Sequence, residues 1–259
     1  GSTTRYSSAT SNGSFRRQTE PVLQHHEIER VLAVMAHPND VDFGAAGTIA
    51  NLTDAGVEVV YCLVTDGQAG GFDRTIERDA MARIRRREQT DAAAKVGVTD
   101  LRFLGHMDGS VVANLDLRYD ISVVIREVRP QVVITQLPMR NLDSTYGSHP
   151  DHIATGEATM AAVYPDARNP FAFPGRPIVD LDEWAVDEVW IPFGSGAQGV
   201  VDITEQLDRK IDALMCHRSQ HRDPEMMEER VRTWWQGIAA DHGLPAGSSA
   251  EAFRVVDTR

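Results

Sequence analysis

The chain alternates short β-branched runs with longer helix-forming stretches, and this alternation constrains the fold more than any other feature. Five buried strands are predicted, at 31–36, 57–65, 101–105, 132–136 and 188–193. Helices are predicted between the first four strands, at about 43–55, 75–96 and 117–128. Strands that alternate with helices form a parallel sheet covered by helices on both faces. The sequence therefore predicts an α/β fold.

The last third of the chain has a different pattern. Residues 205–220 and 224–241 are predicted to be C-terminal helices, while 167–186 contains three prolines and predicts an irregular connection. We find neither an internal repeat nor a domain linker, so residues 28–259 are expected to form a single domain. Residues 1–27 are rich in small polar side chains and are expected to form a flexible tail.

Charge and composition exclude several classes of protein. The formal net charge of −12 argues against binding to nucleic acid, which needs a basic surface. No apolar run reaches the roughly 20 residues that span a bilayer, so no integral membrane segment is expected. Cys62 and Cys216 are predicted to be free thiols in a reducing compartment. We therefore expect a cytoplasmic protein.

Polar residues collect where the predicted strands end. The first four strands are followed by the segments HPND, TDGQAGG, GHMDG and QLPMRNLDSTYGSHPDH. In an open parallel sheet, ligands bind beyond the carboxyl ends of the strands. These segments are therefore expected to meet at one edge of the sheet and to form the functional site.

Two His-Pro segments in this set carry possible metal ligands. His37, Asp40 and His152 would make a set of two histidines and one carboxylate, which suits a catalytic zinc ion with an open fourth position. A single His-Pro pair is more often a turn, and His and Asp also collect at helix N-termini as capping residues. Spacing alone leaves the metal site and these structural explanations about equally supported.

A dinucleotide-binding oxidoreductase would also fit the alternation of strands and helices. Such a protein needs a G-x-G-x-x-G turn after the first strand, so that the backbone can approach the cofactor phosphates. The corresponding turn here reads HPND, at residues 37–40. The sequence therefore argues against this class.

Several segments together resemble the PIG-L/LmbE-like family of zinc-dependent N-deacetylases. The segment AHPND resembles the family's A-H-P-D-D motif, and HPDH matches its second motif. Further segments follow in family order: FGAAGTIA, TDGQAGG, RRREQTDAAAKVGV, FLGHMDG, HRSQ and AEAF. The likeness covers roughly residues 30 to 255. It implies a Rossmann-like fold and hydrolysis of an amide, commonly the acetamide of an N-acetylglucosamine conjugate.

The resemblance also implies roles for individual residues. His37, Asp40 and His152 would bind Zn²⁺, and His149 would stabilise the oxyanion or protonate the leaving amine. Asp151 would orient His149 through a hydrogen bond. The general base of the family is the first aspartate of A-H-P-D-D, and the general base activates the attacking water.

Asn39 stands where the family has that general base. A carboxamide cannot accept a proton near neutral pH, so a protein with low activity is expected. Three explanations remain open: an engineered Asp-to-Asn variant, a natural member with altered or no catalysis, or a substitute base such as Asp42 or Asp108. Gly1-Ser2, which resembles the remnant of a cleaved expression tag, favours the first.

Four further residues are candidates for substrate binding: Arg85, Asp108, Tyr146 and His217. Arg85, Asp108 and His217 each have a structural alternative, namely a solvated basic helix face, a turn and helix packing, respectively. Tyr146 is expected to help hold the oxyanion if its loop folds over the metal. Asp42 is a second, smaller departure from the family pattern, because many members have Glu at this position. The shorter carboxylate is still expected to support His37.

The sequence thus predicts a zinc-dependent hydrolase of a non-peptide C–N amide bond that acts on a small N-acyl amino sugar. Two alternatives are an amidase of the same family with a larger acyl group and a non-catalytic, metal-dependent sugar-binding protein. A homo-oligomer is compatible with all three functions. The identity of the acylated amine is not predicted.

Overall fold

The computed structural model describes residues 27–142, 145, 147–193 and 196–259. These residues include seven strands: β1 Arg30–Met35, β2 Glu58–Thr65, β3 Asp100–His106, β4 Val132–Thr135, β5 Glu188–Pro192, β6 Gly199–Asp202 and β7 Ala250–Asp257. They also include six α-helices: α1 Asp40–Asp54, α2 Arg78–Lys95, α3 Leu115–Val128, α4 Pro150–Ala161, α5 Leu207–Met215 and α6 Pro224–Asp241.

The strands form one sheet in the order β3-β2-β1-β4-β5-β7-β6. The first five strands are parallel, whereas β7 runs antiparallel to both β5 and β6. The strand order reverses between β1 and β4, because β2 and β3 lie on one side of β1 and β4 on the other. Such a reversal opens a crevice at the carboxyl ends of the two strands.

Helices cover both faces of the sheet. On one face, Val31, Ala33 and Met35 of β1 belong to a core cluster that includes residues of α1, α2, α5 and α6. On the other face, Leu32 and Val34 belong to a cluster that includes residues of α3 and α4. Successive residues of a strand point to opposite faces, so β1 contributes to both clusters and is buried on both sides.

The predicted α/β architecture is confirmed, and the strand predictions were close. All five predicted strands are present, and each end lies within one residue of its predicted position. The first three helices are displaced by up to three residues, and the helix predicted at 205–220 ends early, at Met215. The helix predicted at 224–241 has those limits.

Three elements were missed, namely α4, β6 and β7. Strand β6 has only four residues, and β7 carries a charged residue at every third position, at Glu251, Arg254 and Asp257, so neither has the continuous apolar pattern of a buried parallel strand. Helix α4 begins with Pro150 and contains Gly156, two residues that usually argue against a helix. Proline is nevertheless favoured in the first turn.

Helix α1 is fixed to β7 and α5 by a buried ion pair. Lys210 Nζ donates to Glu251 Oε1 at 2.6 Å, and both side chains are almost completely buried. The same carboxylate accepts from the backbone N–H groups of Gly47 at 2.9 Å and Thr48 at 2.7 Å. Lys210 also donates to the carbonyl of Asp42. The ion pair therefore sets the position of the helix that begins at the candidate site.

No helix among the described residues is long and apolar enough to cross a membrane. Cys62, which is buried, and Cys216, which is partly buried, are both free thiols, as predicted.

Replacing Glu251 with Gln is expected to destabilise the fold strongly. The change leaves the Lys210 ammonium buried without a carboxylate, and breaking one side of a buried pair typically costs about 3–5 kcal/mol. Denaturant unfolding measures the change. The exposed pair of Arg232 and Asp208 provides the control, since Asp208→Asn should change the unfolding free energy little. Equal effects of the two substitutions would contradict this prediction.

Candidate functional site

The crevice between β1 and β4 begins with a tight turn that joins β1 to α1. The backbone N–H of His37 donates to Asp40 Oδ2 at 2.8 Å, so the first residue of α1 closes the turn. Asn39, just before the helix, adopts a left-handed conformation with φ of 86° and caps the helix without a side-chain hydrogen bond. Asn is among the few residues that tolerate this conformation.

Three potential ligand atoms from the two sides of the crevice meet in a nearly equilateral triangle. His37 Nδ1 lies 3.2 Å from Asp40 Oδ2 and 3.2 Å from His152 Nε2. The third side, from His152 Nε2 to Asp40 Oδ2, is 3.3 Å. Ligands about 2.0–2.1 Å from a tetrahedral zinc ion lie roughly 3.3 Å from one another. The triangle therefore has the dimensions of one face of a zinc coordination shell.

The other ring nitrogen of His37 faces two buried carboxylates. His37 Nε2 lies 3.2 Å from Asp108 Oδ1 and 3.2 Å from Asp151 Oδ2. Backbone N–H groups of the adjoining loops hold both carboxylates, through Ala69 on Asp108 and through Gly109 and Val111 on Asp151. A neutral His37 therefore carries its proton on Nε2, which leaves the Nδ1 lone pair directed into the triangle.

The charges in this cluster shift the pKa values of its members. Burial opposes a charged His37 ring, but the carboxylates of Asp40, Asp108 and Asp151 outweigh it and raise the pKa of His37 to about 11. Burial similarly opposes ionisation of Asp40, yet the His152 and His37 rings hold its pKa well below the usual range. Asp40 is thus a carboxylate at neutral pH, and the metal-free His37 ring is protonated.

Helix α4 approaches the end of β4 very closely, which brings His152 to the β1 turn. A Cβ atom added to Gly156 would lie 2.3 Å from the backbone carbonyl oxygen of Gln136. The Gln136 side chain donates to Asp40 Oδ2 at 2.9 Å and accepts from the N–H of Ala36 at 2.9 Å. Gln136 therefore orients the carboxylate of the triangle. It is the first residue after β4, and its position at a strand end was the signal that could have identified it.

His149 lies beside the triangle, and its side chain is exposed. One of its ring nitrogens is within 4.8 Å of nitrogens of His37 and His152. Its Nδ1 accepts from the backbone N–H of Asp151 at 3.2 Å, so the proton of the neutral ring is on Nε2. Burial and the neighbouring His37 and His152 rings lower the pKa of His149. His149 therefore presents a neutral, exposed N–H donor beside the triangle.

Two carboxylates have partners that differ from those expected. Asp151 was expected to orient His149, but its carboxylate faces His37, and only its backbone N–H contacts His149. The reason is that Asp151 is in the first turn of α4 and turns its side chain inward, where it is 1% exposed. Asp108 was a candidate for substrate binding, yet its oxygens face His37 and the N–H of Ala69.

Asp42 and His217 lie behind the turn, away from the surface of the crevice. Both side chains are 0% exposed, and His217 Nε2 lies 2.8 Å from Asp42 Oδ2. The expected contact of His217 with substrate is therefore not open to it in this structure. The expectation that Asp42 supports His37 is also corrected, because the carboxylates on His37 Nε2 are Asp108 and Asp151.

Arg85 is buried beneath the turn. Its guanidinium donates to the carbonyls of Gly67 at 2.9 Å and Pro38 at 2.5 Å and lies 3.5 Å from Asn39 Oδ1. Cβ atoms added to Gly67 or Gly70 would lie within 2.8 Å of Arg85, so the two glycines make room for its side chain. Tyr146, the remaining candidate, lies outside the described residues.

Comparison with known proteins shows which family the chain resembles. The chain matches the PIG-L family, described as GlcNAc-PI de-N-acetylase, over residues 32–163. It is 30% identical over 239 residues to a diacetylchitobiose deacetylase of Thermococcus kodakarensis, covering 89% of this chain and 84% of that protein. It is 37% identical over 196 residues to a Bacillus cereus protein named "Probable N-acetyl-alpha-D-glucosaminyl L-malate deacetylase 2", covering 73% and 83%.

A solved structure has the same fold over nearly the whole chain. It is the N,N'-diacetylchitobiose deacetylase of Pyrococcus horikoshii in complex with an inhibitor, with a TM-score of 0.83 and 28% identity. The similarity covers 94% of this chain and 88% of that one. The family match spans just over half of the 259 residues and includes both sides of the triangle. The chain therefore belongs to the PIG-L family of de-N-acetylases.

Proposed function

We propose that the chain is a zinc-dependent N-deacetylase fold for an N-acetylglucosamine-type conjugate, and that Asn39 leaves this form with low activity. The observation that carries the proposal is the triangle of His37 Nδ1, Asp40 Oδ2 and His152 Nε2, with sides of 3.2–3.3 Å. Relatives that act on diacetylchitobiose and on N-acetylglucosaminyl malate support the substrate class.

The donor set favours one position for the metal over the alternatives. His37 Nε2, Asp108 and Asp151 also form a cluster that could hold an ion. The oxygens of those two carboxylates, however, already accept backbone hydrogen bonds and face the N–H of His37. The triangle instead offers two lone-pair nitrogens and one carboxylate, and its side chains are 10%, 13% and 25% exposed. Zinc there would act as a Lewis acid on the acyl oxygen and on the attacking water.

The chain's own residues have separate tasks in this reaction. His149, held as the Nε2–H tautomer, would donate a hydrogen bond to the oxygen of the acyl group as negative charge develops on it. Asp108 and Asp151 keep the His37 ring in the orientation that the ion needs. Arg85 is too buried to bind a large substrate group directly, and we assign it to the support of residues 38 and 39.

The base is the missing group. Asn39 can orient a water molecule but cannot take its proton. Asp42 is completely buried against His217 and Gln89, and Asp108 is occupied by His37, so neither is placed to replace the base. A non-catalytic, metal-dependent sugar-binding protein is therefore the second candidate function, and Asn39 is the observation that favours it. An amidase for a larger acyl group remains a variant of the first.

Replacing Asn39 with Asp should raise kcat for deacetylation by about 10² to 10⁴-fold, the usual contribution of a general base. Release of acetate from diacetylchitobiose and from N-acetylglucosaminyl malate measures it. The matched control is Asn114→Asp, which makes the same chemical change at the N-cap of α3, where the side-chain oxygen still accepts from Leu117 N–H. Background turnover by the Asn39→Asp protein on both compounds would favour the sugar-binding function.

Zinc binding should release about one proton per ion at pH 7. The pKa of His37 is about 11 in the metal-free site, so its Nδ1 must lose a proton before it can coordinate. Apparent zinc affinity should accordingly rise with pH, by roughly tenfold per unit. Calorimetry in buffers of different ionisation enthalpy counts the protons.

Two variants separate this site from adventitious zinc binding. His37→Ala should abolish tight binding, whereas His106→Ala should not, because His106 pairs with Asp120 away from the triangle. A stoichiometry below one zinc per chain after reconstitution would count against a metal site here. Zinc binding without buffer dependence would contradict the protonated state of His37.

A further inference from the structure

Residue 39 needs support from elsewhere in the fold. Its left-handed conformation, with φ of 86°, carries a steric penalty for any residue with a Cβ atom, although Asn and Asp bear it best. Its side chain makes no capping hydrogen bond to α1 that would offset this penalty. Strained backbone at a functional position persists only where the surrounding structure holds it.

A buried hydrogen-bond network of three side chains, Gln89, Asp42 and His217, supports residue 39. The backbone N–H of Asn39 donates to Gln89 Oε1 at 2.7 Å. The other end of this amide, Gln89 Nε2, donates to Asp42 Oδ2 at 2.9 Å. The same oxygen lies 2.8 Å from His217 Nε2. Gln89, Asp42 and His217 are each 0% exposed.

The hydrogen-bond donors and acceptors of this network have only one consistent arrangement. A backbone N–H can only donate, so the Gln89 oxygen must face Asn39 and the Gln89 amide nitrogen must face Asp42. A carboxylate can only accept, so His217 must carry a proton on Nε2. Each group therefore fixes the orientation of the next, from the segment after α5 to the turn after β1.

Helix α2 holds the turn at a second point. Arg85 lies four residues before Gln89, on the same face of the helix, and donates to the Pro38 carbonyl. The peptide group between Pro38 and Asn39 is thus held at both polar atoms, its C=O by Arg85 and its N–H by Gln89. Rotation of this peptide would break both contacts.

We infer that the buried network of His217, Asp42 and Gln89 holds residue 39 in its left-handed conformation. The network thereby directs the side chain at the position of the base. The inference rests on the proposed function, since it concerns how that position is used. None of the three residues touches the metal triangle or substrate, so they are positioning residues. Their effect on the reaction passes through the backbone N–H of residue 39.

The test introduces Gln89→Met into the Asn39→Asp protein. Methionine has a similar length but cannot accept from the N–H of residue 39. We expect kcat to fall by about 10- to 100-fold, because a misplaced reacting group slows the reaction by such a factor. KM should change less than about threefold, and the zinc stoichiometry should stay at about one ion per chain. Ser122→Ala is the control, because Ser122 is also 0% exposed and loses one hydrogen bond, to Arg118, far from the turn. It should leave kcat unchanged.

A rescue separates positioning from general loss of stability. Gln89→Glu keeps an oxygen for the N–H of residue 39 but sets a second carboxylate against Asp42. Adding Asp42→Asn puts an amide nitrogen at the position of Asp42 Oδ2, where one N–H donates to the new carboxylate and the other donates to His217 Nε2 once the His217 proton moves to Nδ1. The double variant should therefore recover kcat to within about threefold of the Asn39→Asp protein, whereas Gln89→Glu alone should not. A double variant no faster than Gln89→Glu would overturn the inference.

Amide hydrogen exchange provides a readout that does not need activity. In the metal-free chain with Asn39, Gln89→Met should speed exchange of the residue 39 N–H at least tenfold, and Ser122→Ala should not. Unchanged exchange together with kcat within twofold of the parent would overturn the inference. If the Asn39→Asp protein turns over no N-acetylglucosamine conjugate, the proposed function fails, and the exchange result alone decides the positioning role.

Discussion

The geometry of the site depends on one imidazole ring, that of His37, whose two nitrogens face different partners. His37 can present a lone pair on Nδ1 only because Asp108 and Asp151 hold the proton on Nε2. Those carboxylates are in turn fixed by backbone N–H groups of the loops that follow β2 and β3. Three neighbouring strand ends and the first turn of α4 must therefore be in place before the ring is correctly oriented. The parallel sheet is the structure that delivers all of them to one edge.

Much of this arrangement could be predicted from the sequence, because strand ends in a parallel sheet converge. The runs that became β1 to β5 were long and β-branched enough to be placed within one residue. That placement put His37 and the loop before His152 at the same edge. The triangle itself could not be derived from spacing, since the order of β1 and β4 in the sheet is a property of the tertiary fold. The family resemblance provided what spacing did not.

The missed features share a physical cause. Asp108 and His217 were candidates for substrate binding, and Asp151 was expected to orient His149. In the fold they turn inward, where hydrogen bonds to His37, to backbone groups and to Asp42 offset the loss of water. Gln89 and Gln136 were missed for a related reason. A glutamine in a helix gives no sign of its partner, and the strand-end position of Gln136 marks it as a site residue without naming Asp40, which is distant in sequence.

The contact at Gly156 limits how the site can change. The α4 backbone lies so close to the end of β4 that a single methyl group at Gly156 would overlap the Gln136 carbonyl oxygen at 2.3 Å. The same helix carries His152, one turn earlier, and the same glutamine binds Asp40. An alanine at Gly156 would have to move the helix, and with it one corner of the triangle relative to the other two. A position without any functional group thus sets the spacing of the three proposed metal ligands, and a substitution there would alter the triangle without changing any of its side chains.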